Sequence, residues 1–208
     1  MEQVFFINPV AGKRDASAEF VPRIQAAARQ LQLPQPQIVV TQYAGQAREA
    51  ARQYAASGTP AALYACGGDG TLNELVQGAA GSANVAVGCV PCGSGNDYVR
   101  NFGAAGQAPF LDFAAQLQAQ PCRVDLLQTS LGIGIDICAA GLDAQVAYGI
   151  PKFRRLPGCG GTAAYTLSIL QAMLSRFGHK LRVAIDGKEY TGTYMMAAIC
   201  NGGYYGGG

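Results

Sequence analysis

The sequence predicts an α/β protein, with a doubly wound, Rossmann-like parallel-sheet domain at the N-terminus followed by the first part of a β-rich second domain. Three observations predict it. A short apolar strand candidate leads three times into a Gly, Asn or Pro turn and then a helical pattern, at VFFINPVAGK from Val4, LYACGGDGT from Leu63 and VAVGCVPCGSGND from Val85. The run from Ala61 to Cys66 shows no polar alternation, as expected of a strand covered by helices on both faces. Half of the 208 residues are apolar, enough for a substantial core.

The elements follow in order. The strand from Val4 precedes a helix over Ala16 to Leu31, a strand at Ile38 to Val40 and an alanine-rich helix from Gln46 to Ala56. After the Ala61 to Cys66 strand, Gly67, Gly68 and Gly70 open a turn. Thr71 is then expected to cap a helix continued by Leu72, Leu75 and Val76. The strand from Val85 runs into PCGSGNDYVR, with Asn96 and Asp97 at a helix start. Past Asp125 the texture changes. LGIGIDICAAG reads as one strand, Thr162 to Phe177 as a helix, and Leu181 to Ile185 and Tyr190 to Cys200 as strands joined through an Asp186, Gly187 hairpin turn. A domain boundary is expected between residues 127 and 128, giving a nucleotide-binding domain over 1–127 and a partial, β-rich lipid-substrate domain over 128–208. The glycine-rich ending at Gly206, Gly207 and Gly208 reads as that of a fragment.

Composition excludes several classes. A net charge of +2 is too small to indicate nucleic acid. Seven cysteines scattered singly through apolar segments do not form a secreted disulfide framework and point to a reducing compartment. Cys89 and Cys92 have a CVPC spacing, but with no second pair and one histidine in the chain they read as separate thiols. MEQVFFINP carries no signal-peptide pattern, and no apolar run reaches spanning length, so a cytoplasmic protein without a transmembrane segment is expected.

The chemistry sits in the turns. Glycines after a strand let an anion approach the main chain, and the following helix start turns its amides toward the same place. Asp69 stands out, because a carboxylate beside a phosphate turn is repulsive unless it binds metal, takes a proton or bonds a ligand hydroxyl. NPVAGK after the first strand offers a second such turn with Lys13 as a point charge, and Gly93, Ser94 and Gly95 offer a third. Any one of these turns could be a tight bend with a helix cap; three at successive strand ends are much harder to dismiss as that. Neither the GxxxxGK[ST] string nor a first-strand GxGxxG is present.

NPVAGK, Thr41, GGDGTLNELVQG and PCGSGNDYVRNFG, continued by RVDLLQ, GLDAQV and NGGYYGGG, together resemble the bacterial diacylglycerol kinase family of lipid kinases. Sphingosine and ceramide kinases are similar, and NAD kinases share the GGDG loop. The resemblance implies ATP-dependent phosphorylation of a lipid hydroxyl, diacylglycerol to phosphatidate being one case, with ATP and Mg2+ required. It implies nucleotide contacts from Asn8, Pro9, Val10, Ala11, Gly12, Thr41, Gly67, Gly68, Asp69, Gly70, Thr71, Leu72, Asn73 and Ser94. Ser94 replaces the family's usual threonine and keeps the hydroxyl. Asp69 is implied as the base, as in sphingosine kinases, with Asp97 and Asp125 as further catalytic candidates. Asp97 reads equally well as a helix cap, and Asp125 somewhat better as structural. The family's metal-binding and late catalytic residues lie beyond NGGYYGGG, so the metal ligands are unknown and the chain alone is expected to bind ATP poorly and transfer little phosphate. Two alternatives stand beside the kinase: a noncatalytic nucleotide-binding or membrane-associated fragment, and a small-molecule kinase of the NAD kinase type.

The expected partner is a lipid substrate at the membrane surface, reached by peripheral association; a homodimer is left open. Between Asp143 and Asp186 there is no acid, while Lys152, Arg154, Arg155, Arg176, Lys180 and Arg182 are basic. That face suits anionic headgroups or plain water equally. The apolar stripe of the Thr162 to Phe177 helix reads as core rather than lipid groove.

Overall fold

Strand β1 (Glu2–Ile7) alternates its side chains between two cores, and this alternation organises everything around it. In this computed structural model, which describes residues 1–103, 106–154, 156, 162–174 and 178–206, Val4 and Phe6 face one core and Phe5 and Ile7 the other. β2 (Gln37–Val40), β3 (Ala61–Gly67) and β4 (Val85–Pro91) pair with it in a four-stranded parallel sheet of order β2-β1-β3-β4. Helices α2 (Gln46–Ser57) and α3 (Asp69–Ala79) cover the Val4 face; α1 (Ser17–Gln30) and α5 (Phe113–Gln118) cover the Phe5 face. All seven residues of β3 are buried, which explains its unbroken apolar composition.

Local chemistry sets the helix ends. Asp15 Oδ1 accepts from the Ser17 amide at 2.8 Å at the start of α1. Gly58, at φ 71°, closes α2 in the left-handed conformation that glycine adopts without a Cβ penalty. Asp112 caps α5, which the sequence did not announce, by accepting from the Ala115 amide at 3.0 Å. Between β4 and α5 lie the one-turn helix α4 (Asp97–Arg100) and a 3₁₀ turn at Ala108–Leu111.

The chain divides into two compact units, residues 1–136 with 201–208 and residues 137–200. The first unit also holds the small hairpin of β5 (Leu127–Thr129) and β6 (Gly132–Gly134). The second begins with β7 (Ile137–Gly141), so the LGIGIDICAAG stretch is two strands rather than one, interrupted at Ile135 and Asp136. α6 (Leu142–Arg154), also unannounced, packs on α7 (Thr162–Leu174). Their contact uses small residues: Ser168 is buried and its hydroxyl donates to the Val146 carbonyl at 2.6 Å. Ala164 and Ala172 are buried and Leu167 and Ile169 half-buried, whereas Leu170, Met173 and Leu174 are exposed, so these last three do not form the core expected of the α7 stripe. β8 (His179–Ile185) and β9 (Lys188–Tyr194) form the expected hairpin, with Asp186 at φ 49° and Gly187 at φ 79°, the two positive values of a type I′ turn. The expected strand Tyr190 to Cys200 breaks at Met195, and β10 (Met196–Cys200) pairs instead with β7. Cys159, Arg155, Arg176, Phe177, Gly207 and Gly208 lie outside the described residues.

Candidate functional site

Strand order reverses at β1, because β2 and β3 lie on its opposite sides, and in such sheets ligands bind at the carboxyl ends beside that reversal. The loops after β1, β3 and β4 meet there. In the first, Asn8 Oδ1 accepts from the Val10 amide at 3.1 Å and the Asn8 carbonyl from the Ala11 amide at 3.2 Å, which folds NPVAGK into a turn. Asn8 Nδ2 then donates to Thr71 Oγ1 at 3.0 Å and joins this loop to the next. Pro9 and Ala11 are half-buried, while Val10 and Gly12 are exposed.

Thr71 is not the cap of α3. Gly68 holds that position, its carbonyl accepting from the Thr71 and Leu72 amides at 3.0 and 3.2 Å, and Asp69 is the first helical residue. The buried Thr71 hydroxyl serves Asn8 instead, because residue 71 lies one turn too far into the helix to reach the leading amides. Leu72 is also buried, with its side chain in the Val4-side core, so only its backbone is available to a ligand. Gly70 is exposed and Asn73 half-buried. Thr41, just past β2, donates from both its amide, at 2.8 Å, and its hydroxyl, at 3.3 Å, to the Ile7 carbonyl.

The loop after β4 lies directly against the β3 loop. A Cβ on Gly93 would overlap the Gly68 Cα, and one on Gly12 would overlap the Cys92 carbonyl oxygen, so at these two points the β4 loop meets its neighbours backbone against backbone. Asn96 pins this loop, accepting from the Gly93 amide at 3.0 Å and donating to its carbonyl at 2.8 Å. Ser94 stays exposed at the loop's tip. This bare, glycine-lined edge beside the start of α3 fits a chain of phosphates.

Acids border it. Asp69 Oδ1 accepts from the Tyr98 amide of α4 at 3.3 Å, while a Cβ on Gly95 would lie 3.0 Å from Asp69 Oδ2 and 3.9 Å from Asp97 Oδ2. Both carboxylates therefore flank Gly95. Asp97 also pairs with Arg100 at 3.6 Å. Asp125 is exposed and joins the network through its backbone carbonyl, which accepts from Asn201 Nδ2 at 2.8 Å. Asp136, which the sequence did not single out, is the third carboxyl of the group: burial, then the charges of Asp69 and Asp97, raise its pKa above the ordinary carboxylate value and make it a weaker acid, against an opposing hydrogen bond from Asn101. The sequence signal was a lone acid inside the apolar stretch GIGIDICAA. Among the described residues no group of three or more His, Cys, Asp or Glu is placed to hold a metal ion.

Cys89 and Cys92 are free thiols. Burial, foremost, pushes Cys89 up to about 12 and Cys92 to about 11.

The family model described as "Diacylglycerol kinase catalytic domain" matches residues 2–129, and "YegS C-terminal NAD kinase beta sandwich-like domain" matches residues 136–208. The chain is 30% identical over 173 residues to "Probable lipid kinase YegS-like" of Chromohalobacter salexigens, a match spanning 81% of this chain and 54% of that one. It is 28% identical over 138 residues to "Diacylglycerol kinase" of Bacillus subtilis, spanning 66% and 45%. The chain thus spans about half the length of the curated relatives it matches. A crystal structure of a diacylglycerol kinase from Bacillus anthracis str. Sterne shares the fold, with a TM-score of 0.66 at 23% identity over 99% of this chain and 66% of that one.

Proposed function

The chain belongs to the diacylglycerol kinase catalytic-domain family, and on that premise we propose that the protein transfers the terminal phosphate of ATP to a lipid hydroxyl, diacylglycerol to phosphatidate being the leading case. The observation that carries this reading is the meeting of three glycine loops at the sheet's reversal point, with two carboxylates on their border. ATP is the phosphate donor, held by the main chain of Asn8 to Gly12 and Gly67 to Asn73, with the hydroxyls of Thr41 and Ser94 beside it. Asp69 acts as the base: with Oδ1 occupied by the Tyr98 amide, Oδ2 takes the acceptor's proton as its oxygen bonds to the γ-phosphorus and the bond to ADP breaks. Asp97 orients the acceptor, and Asp125 supports the same edge. Magnesium bound with the nucleotide needs only one or two protein carboxylates beside phosphate oxygens. We assign it no ligand set.

Residues 1–127 form the nucleotide domain in this reading and 128–208 part of the lipid domain. A cytoplasmic protein that visits the membrane surface is supported by two features. Among the described residues no helix is long and apolar enough to cross a membrane. The second unit exposes Leu170, Met173 and Leu174, and its Lys152, Lys180 and Arg182 are exposed as well.

The test, made on the whole product of the gene because this chain spans about half the length of its curated relatives, is transfer of labelled γ-phosphate to diacylglycerol in mixed micelles, with a polyprenol, a sphingoid base and NAD in parallel. Asp69→Asn keeps an oxygen for the Tyr98 amide, so ATP binding should persist while transfer falls on the order of 10²–10⁴-fold. Nucleotide binding without transfer to any lipid alcohol would overturn the kinase reading in favour of a noncatalytic module. Transfer to NAD alone would replace the lipid with a soluble acceptor.

A further inference from the structure

The turn Asn201, Gly202, Gly203 belongs to the first unit, and Asn101 ties it to the helix that carries Asp97. Asn101 Nδ2 donates to the carbonyls of Tyr98 at 3.0 Å and Asp97 at 3.5 Å and to Asp136 Oδ1 at 3.4 Å. Its Oδ1 accepts from the Gly203 amide at 2.6 Å. With oxygens on one side and an N–H on the other, only one orientation of the amide satisfies the network. Asn201 completes the clasp: its amide donates to the Asp136 carbonyl at 2.7 Å, and its Nδ2 donates to the carbonyls of Asp125 and Ile135 at 2.8 and 2.9 Å. Gly202 leaves the space the clasp uses, because a Cβ there would fall on Asp136 Oδ1 and lie 2.8 Å from Asn101 Nδ2, so any larger residue displaces both side chains.

α4 is a single turn, too short to hold its own shape. It is held at its start by Asp69, which accepts from the Tyr98 amide, and at its end by Asn101. We propose that Asn101 is a positioning residue for phosphate transfer: through Gly203 and Asp136 it fixes α4, and with it Asp97 and the Tyr98 amide that orients Asp69. This rests on the reading of Asp69 as base. The phosphate cradle formed by Asn8, Gly67, Gly68, Thr71 and Gly93 makes its contacts without Asn101, so loss of the clasp slows transfer and leaves nucleotide affinity in place.

Asn101→Asp is the sharpest variant, because it keeps the acceptor for Gly203 but sets an acid against Asp136 and two carbonyls. Expected is a fall in kcat on the order of 10–100-fold with KM for ATP within about two-fold. Adding Asp136→Asn to the same chain supplies a donor amide at 136 and should recover most of the loss. Independently of turnover, Asn101→Ala should speed hydrogen exchange at the Tyr98 and Gly203 amides about ten-fold, with β1 and β3 unchanged. Unchanged kcat, equal losses in kcat and ATP affinity, or unchanged exchange at Tyr98 would each overturn the proposal. A wild-type protein that phosphorylates no alcohol removes the reading of the reaction and the positioning role with it; faster exchange at Tyr98 would still separate that failure from failure of the clasp.

Discussion

Asp136 shows how a residue acquires its character from neighbours distant in sequence. Its folded form holds the proton more tightly than the unfolded chain, since burial and the charges of Asp69 and Asp97 oppose ionisation. The fold therefore loses stability from this group as pH rises through its folded value, and below the ordinary 3.8 the effect is absent. Asp136→Asn, whose amide oxygen can still accept from Asn101, should melt higher than wild type at pH 7, with the difference vanishing below pH 3.8. A difference that persists in acid would assign the effect to packing instead. Asp69 could be singled out as a candidate in the sequence because a carboxylate among three glycines is repulsive to phosphate unless a ligand or proton offsets it, and the fold places it at the border of the three loops. Asp136 and Asn101 were not legible, because their partners are 67 and 102 positions distant in one case each, and only the fold joins them.

At the scale of elements, the parallel strands were legible because burial on both faces leaves continuous apolar runs, and the hairpin because Asp-Gly supplies the positive φ its turn demands. α6 was not legible: Gly149 and Pro151 interrupt its helical pattern, and it is stabilised by packing against α7 rather than by propensity. Two strands were misjudged in length because the break at Ile135 and Asp136 is hidden in a mostly apolar run where Gly134 and Asp136 are the sole turn signal, and the break at Met195 falls between Tyr194 and Met196 with no turn residue at the bend. The candidate site depends on elements lying closer than side chains permit. Gly93→Ala should force the β4 loop away from Gly68 and weaken ATP binding by about ten-fold or more, read by calorimetry, while the buried strands keep their exchange protection. Undiminished ATP affinity would show that the two loops need not touch to hold phosphate.

Across the whole molecule, the described cysteines sort by environment rather than by spacing. Cys66 is held well above the usual thiol range and Cys89 at about 12, both chiefly by burial, whereas Cys122 and Cys200 are exposed. Brief alkylation of the native protein at pH 7, mapped by mass spectrometry, should therefore mark Cys122 and Cys200 first and reach Cys66 and Cys89 only after denaturation. Early labelling at Cys89 would mean that the sheet opens at β4. The two units have a further relation through connectivity. The chain leaves the first unit at Asp136 and returns to it at Asn201, and those two residues are joined by a backbone hydrogen bond of 2.7 Å. Residues 137–200 thus leave and rejoin the first unit at adjoining positions, so replacing them with a short linker should leave the four-stranded sheet folded, read by undiminished exchange protection of β1 and β3.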